Sequence, residues 1–174
     1  MLDIKSYREH LDKLLEEDSS NIFLNGGIDY ASEFICLLLS NAKKNVNMFC
    51  EGLNPEIMGR DKVFSAFKEC IERGVRFNIL MEKDTYISED PYKFASSFEN
   101  VNIRIIKKEG LNEIDSVLGP GRCNFTVCDD KMVRIEVNPL EYRAVGSFNK
   151  PKWADALNKL FNSSFENATL SNKI

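Results

Sequence analysis

"DKVFSAFKECIERGVRFNIL", residues 61–80, changes its period halfway along. Val63, Phe67, Cys70 and Ile71 fall on one helical face, Asp61 can cap the run, and Gly74 stops it, so a helix is predicted over 62–73. "VRFNILME", 75–82, then reads as a strand. Upstream, "NVNMFC", 45–50, alternates Val46, Met48 and Cys50 with polar residues, a second strand, and "EGLNPEIMGR" after it reads as a loop. Downstream, "SEDPY" introduces a short helix carrying Tyr92, Ala95 and Phe98, and "VNIRIIKK", 101–108, is a third strand. Strand, helix, strand, helix, strand is the pattern of a mostly parallel sheet with right-handed crossovers.

The flanks extend that unit in two styles. Ile4, Tyr7, Leu11, Leu14 and Leu15 form one face of a helix over about 3–17, and "NGG", 25–27, marks a turn. A second helix, about 28–43, is apolar through Tyr30, Phe34, Leu37, Leu38 and Leu39, dense enough to be buried on more than one side. Toward the C-terminus, "EGLNEIDSVLGPG", 109–121, reads as a loop with a Pro-Gly break. Three short strands follow, about 123–128, 132–138 and 143–147, joined too tightly for helical crossovers, so the first two are expected to pair as a hairpin through "DDK". Pro151 opens a last helix, 151–167, that buries Trp153, Leu157, Leu160, Phe161 and Phe165, and "ATLSNKI" reads as a frayed end. The expected organisation is an N-terminal helix and turn over 1–27 and a single α/β domain over 28–174.

Bulk properties narrow the function. At 174 residues the chain suits one domain with a real core, and 43% hydrophobic with 29% charged content is ordinary for a globular protein. A net charge of −4 argues against wrapping nucleic acid on a basic surface, while leaving room for a local anion site. The longest apolar run, "FICLLLS" at 34–40, is far short of the roughly 20 residues a membrane span needs. "MLDIKSYREH" has no apolar signal core. Five cysteines without paired spacing, four of them in apolar segments, read as reduced buried thiols, and the expected location is cytoplasmic. With no CxxC and a single histidine, His10, among charges in the first helix, neither a metal nor a cofactor is expected.

The polar residues that interrupt the tail carry the functional signal. "GRCNFTVCDD", 121–130, places Arg122, Asn124 and Asp129 on and around one strand, and "RAVGSFN", 143–149, ends on Gly146, Ser147, Phe148 and Asn149 just before a helix. Combined with the strand order and the "RGVRFNIL" helix-to-strand junction, these residues resemble a single repeat of the phospholipase D superfamily. The likeness covers about residues 28–168. It implies a three-layer α/β/α domain whose mixed sheet joins the parallel part to the C-terminal hairpin strands, closed by the terminal helix. The family's signature is His-x-Lys-x-x-x-x-Asp, followed after a hairpin by Gly-Ser-x-Asn. Asp129 takes the aspartate and Gly146, Ser147 and Asn149 take the turn. The nucleophilic histidine then falls at Arg122 and the lysine at Asn124.

In the resembled family an imidazole attacks phosphorus and a second histidine protonates the leaving group. Arginine can do neither, since its pKa above about 12 keeps it protonated at neutral pH. Asparagine neither attacks nor carries the proton. The resemblance therefore implies a degenerate, non-catalytic module. A guanidinium at Arg122 offers a fork suited to phosphate, and Asn124, two residues along the same strand, faces the same side. Arg122, Asn124, Asp129, Ser147 and Asn149 form the candidate ligand site.

A plainer reading competes with that one. Arg122 can pair with Asp129, Asp130 or Glu136, while Ser147 and Asn149 satisfy backbone groups and cap the following helix. In "MVRIEVN", Arg134 and Glu136 share a face and form either an ion pair near the site or a solvated edge. Because family members pair two motif copies across a pseudo-twofold axis and this chain holds one, a homodimer through the 122–149 region is implied. The expected partners are a phosphate-bearing small ligand or a protein, with nucleic acid not favoured. The competing functions are an atypical phosphodiesterase or nuclease and a purely structural assembly subunit.

Overall fold

A computed structural model describes residues 2–119 and 123–171. Seven α-helices and eight strands are present among them: α1 (Ile4–Glu16), β1 (Phe23–Asn25), α2 (Ile28–Asn41), β2 (Asn45–Cys50), α3 (Pro55–Met58), α4 (Asp61–Glu72), β3 (Arg76–Met81), α5 (Asp90–Ser96), β4 (Val101–Ile105), α6 (Lys108–Leu118), β5 (Asn124–Cys128), β6 (Met132–Asn138), β7 (Arg143–Ser147), α7 (Pro151–Glu166) and β8 (Thr169–Leu170). The strands form one mixed sheet in the order β1-β7-β6-β5-β2-β3-β4-β8. β2, β3 and β4 are parallel, as the strand–helix–strand pattern requires, and every other pairing is antiparallel.

The alternation of each strand sends side chains into two cores. Val46, Met48, Phe77 and Ile79 join the layer made by α1, α2, α4 and α5, while Phe49, Leu80, Phe125 and Val133 join the layer made by α6 and α7. The expected three-layer α/β/α arrangement with a mixed sheet is what the structure shows. Gly74 takes φ +81° where α4 ends, a left-handed turn that favours a residue without a Cβ. Asp129 and Asp130 take φ of 51° and 57°, the conformation of a tight hairpin turn between β5 and β6.

Several segments differ from their sequence reading. Residues 108–118 are helix rather than loop: Ile114 is buried and Leu111 and Leu118 pack beside it against the α7 layer, so tertiary burial outweighs the poor helix propensity of Gly110 and Asn112. The Pro-Gly break at 120–121 lies outside the described residues. The loop after β2 contains α3, begun by Asn54, whose side chain accepts from the Glu56 N–H, and by Pro55. Asp61 is inside the first turn of α4, and Arg60 holds the cap position. Thr169–Leu170 pairs with β4 instead of fraying, and β1, a three-residue strand, adds the opposite edge.

The N-terminal segment is woven into the same body. Tyr7, Leu11 and Leu14 of α1 belong to the larger core, and β1 pairs with β7. Glu33 of α2 accepts from Arg8 of α1 at 3.1 Å and from Lys62 of α4, tying three helices together. Burial alone would raise the Glu33 carboxyl; hydrogen bonds from Lys62 and Arg8 overcome that and hold it below its ordinary value. The five cysteines are free thiols. Among the described residues no helix is long and apolar enough to cross a membrane, and no three His, Cys, Asp or Glu side chains converge on a metal-sized site.

Candidate functional site

Two polar clusters occupy opposite ends of the C-terminal strands, and the register explains why. β5 pairs with β6 so that Asn124 faces Glu136 and Cys128 faces Met132. β6 in turn pairs with β7 so that Val133 faces Ser147. A single hairpin would return the chain to the start of β5; this chain turns back twice, so Ser147 and Asn149 arrive beside the end of β5. Asn124 opens β5 and Asp129 lies just past its last residue, so the length of that strand, about 13 Å at the usual rise, separates them at the least.

At the far end, Asp129 accepts from the backbone N–H groups of Lys43 and Lys44, each at 2.7 Å, and of Asn45 at 3.1 Å. It thereby fixes the junction from α2 into β2. The Ser147 hydroxyl, fully buried, donates to the Ser19 carbonyl at 3.5 Å and accepts from the Asn149 N–H at 3.4 Å. The Asn149 amide donates to the Asp18 carbonyl and carboxylate at 3.1 and 3.2 Å. Gly146 answers to packing: a Cβ there would lie 2.2 Å from the Phe34 ring, which stacks edge-on with Phe23 and Phe148. The Gly-Ser-Phe-Asn turn thus clamps the end of α1 and the entry to β1.

At the near end, Arg134 and Glu136 point into the sheet face below α2, and both are buried, at 5% and 6% exposure. The Arg134 guanidinium donates to Glu136 Oε1 at 2.9 Å, and the Asn124 amide donates to Glu136 Oε2 at 2.7 Å. Of the two readings of this pair, the buried ion pair is the one found. Arg134 Nε is buried with no hydrogen-bond partner. These three side chains, with Thr126, line a cavity of about 270 Å³. Ile35, Leu38 and Leu39 of α2 and Ile57 and Met58 of α3 also line it. Its remaining polar lining includes Glu51 and Glu56, with Lys83 on Glu51 and the Tyr142 hydroxyl on Glu56, each at 2.7 Å.

Cys50, from β2, also lines this cavity. Burial, then the neighbouring Glu136 carboxylate, pushes its thiol up to about 12, so it is protonated at neutral pH and no nucleophile. Burial and the Glu56 hydrogen bond likewise raise the Tyr142 phenol. His10 is exposed on α1 and takes no part in the cavity lining. Of the sequence candidates, Asn124 is brought together with Arg134 and Glu136; Asp129, Ser147 and Asn149 gather at the other end; Arg122 lies outside the described residues. Sequence reasoning missed the α2 and α3 walls and Tyr142. The Asn54-Pro55 pair, a cap followed by a first-turn proline, is the signal that could have marked α3.

No protein-family model and no curated protein sequence matches the chain. Solved structures do. Nuc from Salmonella typhimurium, a phospholipase D family member, aligns over 87% of this chain and 99% of its own, with TM-score 0.61 and 13% identity. NucT from Helicobacter pylori aligns over the same shares with TM-score 0.64 and 11% identity. TrmBL2, an archaeal chromatin protein with a novel mode of DNA binding, aligns over 96% of this chain with TM-score 0.59 and 16% identity. The aligned part is 62% of TrmBL2, so this chain spans less than two thirds of that protein's length. The chain has the phospholipase D-like fold.

Proposed function

We propose that this chain is a non-catalytic, small-ligand-binding domain built on the phospholipase D-like fold. The observation that carries the reading is the cavity whose floor is a buried Arg134–Glu136–Asn124 cluster, polar at one end and aliphatic along α2 and α3. The attacking imidazole that the resembled family needs is replaced by Arg122 in the sequence, and His10 and the protonated Cys50 supply no substitute. Phosphodiester hydrolysis by the imidazole attack of the resembled family therefore has no nucleophile. A bound ligand would be reported to a partner protein, which makes the domain regulatory. The DNA binding named for TrmBL2 is not carried over, since over a third of that protein has no counterpart here and the net charge of this chain is −4. The test pairs two assays. Leu39→Trp, which fills the cavity, should abolish the melting-temperature rise given by any small molecule the wild type binds. A phosphodiester reporter and single-stranded DNA should stay intact with the wild type; hydrolysis that Asn124→Ala removes would replace this reading with an atypical phosphodiesterase.

We also propose that the domain works as a homodimer. The sheet face opposite the cavity carries Leu24, Val145 and Ile135 in one register row, and α7 leaves Leu24 72% exposed and Val137 53% exposed. Sedimentation should give a dimer for the wild type and a monomer for Leu24→Glu; a monomeric wild type sinks this part.

A further inference from the structure

Hydrogen-bonding capacity at the cavity floor is only partly used, and the unused part has a definite pattern. An ionised carboxylate offers about four acceptor positions and a guanidinium five donors. Glu136 receives one bond on each oxygen, from Arg134 and from Asn124. Arg134, itself 5% exposed, gives one bond, to Glu136; its Nε is closed off from the cavity, so the donors left for a ligand are the terminal guanidinium N–H groups of a residue that lines it. Acceptor sites and donors therefore stand side by side on neighbouring positions of β6, facing one cavity. The two charges cancel each other, so the floor itself asks for no net charge and gives a phosphate no advantage there. The opposite wall is aliphatic: Ile35, Leu38, Leu39, Ile57 and Met58 present no polar side-chain atom.

We infer that the cavity takes a small, uncharged, planar lactam: a heterocycle of the nucleobase type. Its ring N–H donates to Glu136, its adjacent carbonyl accepts from Arg134, and its apolar faces lie against α2 and α3. This deepens the ligand-binding reading and rests on it. A polyol would set hydroxyls against the aliphatic wall and leave them without partners, at a cost for each buried group. A lactam concentrates its polar atoms on one edge and needs no break in the resting ion pair. The contact is the one by which carboxylates and arginines read the edges of bases.

The test uses the full chain and a matched ligand set. Hypoxanthine should raise the melting temperature and bind measurably by calorimetry. 1-Methylhypoxanthine, alike in shape but unable to donate at that edge, should bind at least about tenfold more weakly, as expected when a buried acceptor is left unanswered. Glu136→Gln should weaken hypoxanthine in the same measure; the methylated ligand on the wild-type protein gives the same comparison should that variant fail to fold. Equal binding of the two heterocycles, or no binding of either, overturns the inference. If glucose or inorganic phosphate instead gives a shift that Leu39→Trp removes, the lactam is wrong and the ligand-binding reading stands. If no ligand gives such a shift, both fall.

Discussion

The two ends of the β5–β6–β7 unit are equally rich in polar side chains and use them in opposite ways. At the Asp129–Ser147–Asn149 end, each of the three side chains is hydrogen-bonded to the chain itself, to the start of β2 or to the end of α1. At the Asn124–Arg134–Glu136 end the groups bind one another and line an open cavity. Groups bonded to the backbone hold the fold, whereas groups that bond only one another beside a cavity are the ones proposed above to meet a ligand. The residues that best match the family signature thus sit where the fold consumes them. Asn124, aligned with the signature lysine, sits where binding remains open.

That contrast can be broken by mutation. The largest effect is expected at the open end. Glu136→Ala leaves the Arg134 charge buried without its partner, which should cost about 3–5 kcal/mol in a denaturant titration, whereas the double change Arg134→Met with Glu136→Leu should be close to neutral while abolishing ligand binding. A double variant as unstable as the single would mean that the pair is needed for folding, and the contrast between the ends would disappear. Next comes Gly146→Ala, whose methyl must displace the Phe34 ring; about 1–3 kcal/mol is expected, with ligand affinity unchanged. The smallest is Asn149→Ala, which releases the end of α1 at about 1 kcal/mol, read by faster amide exchange over residues 14–19 and again with no change in binding. Weakened binding in Asn149→Ala would join the two ends into one site and restore the single-cluster view.

The parts of the fold legible in the sequence were those with strong local periods. The 61–80 switch from helix to strand, the β2 alternation and the three tail strands all lie within a residue or two of their predicted places, while β4 stops at Ile105, three residues short of its predicted end, and Lys108 already opens α6. Helix α6 was hidden because its apolar positions are few and its interior carries Gly110 and Asn112; only the contact with α7 selects that conformation. β1 and β8 are shorter than any pattern can signal and exist because a neighbouring strand offers them hydrogen bonds.

The candidate site divides along the same line. That Asn124, Arg134 and Glu136 face one side of the sheet follows from alternation along β5 and β6 once the hairpin is granted. That the pair is buried depends on α2 lying over it. That Ser147 and Asn149 stand away from Asn124 depends on counting two reversals of chain direction rather than one.

By itself the sequence determined the α/β class, the parallel core and the hairpin tail, because each is written in local spacing or in residue identity. Only the tertiary structure decided which polar residues are consumed and which remain open. Hydrogen-bond satisfaction is a property of what lies across the sheet and above it, and neighbours distant in the chain do not appear in any local pattern.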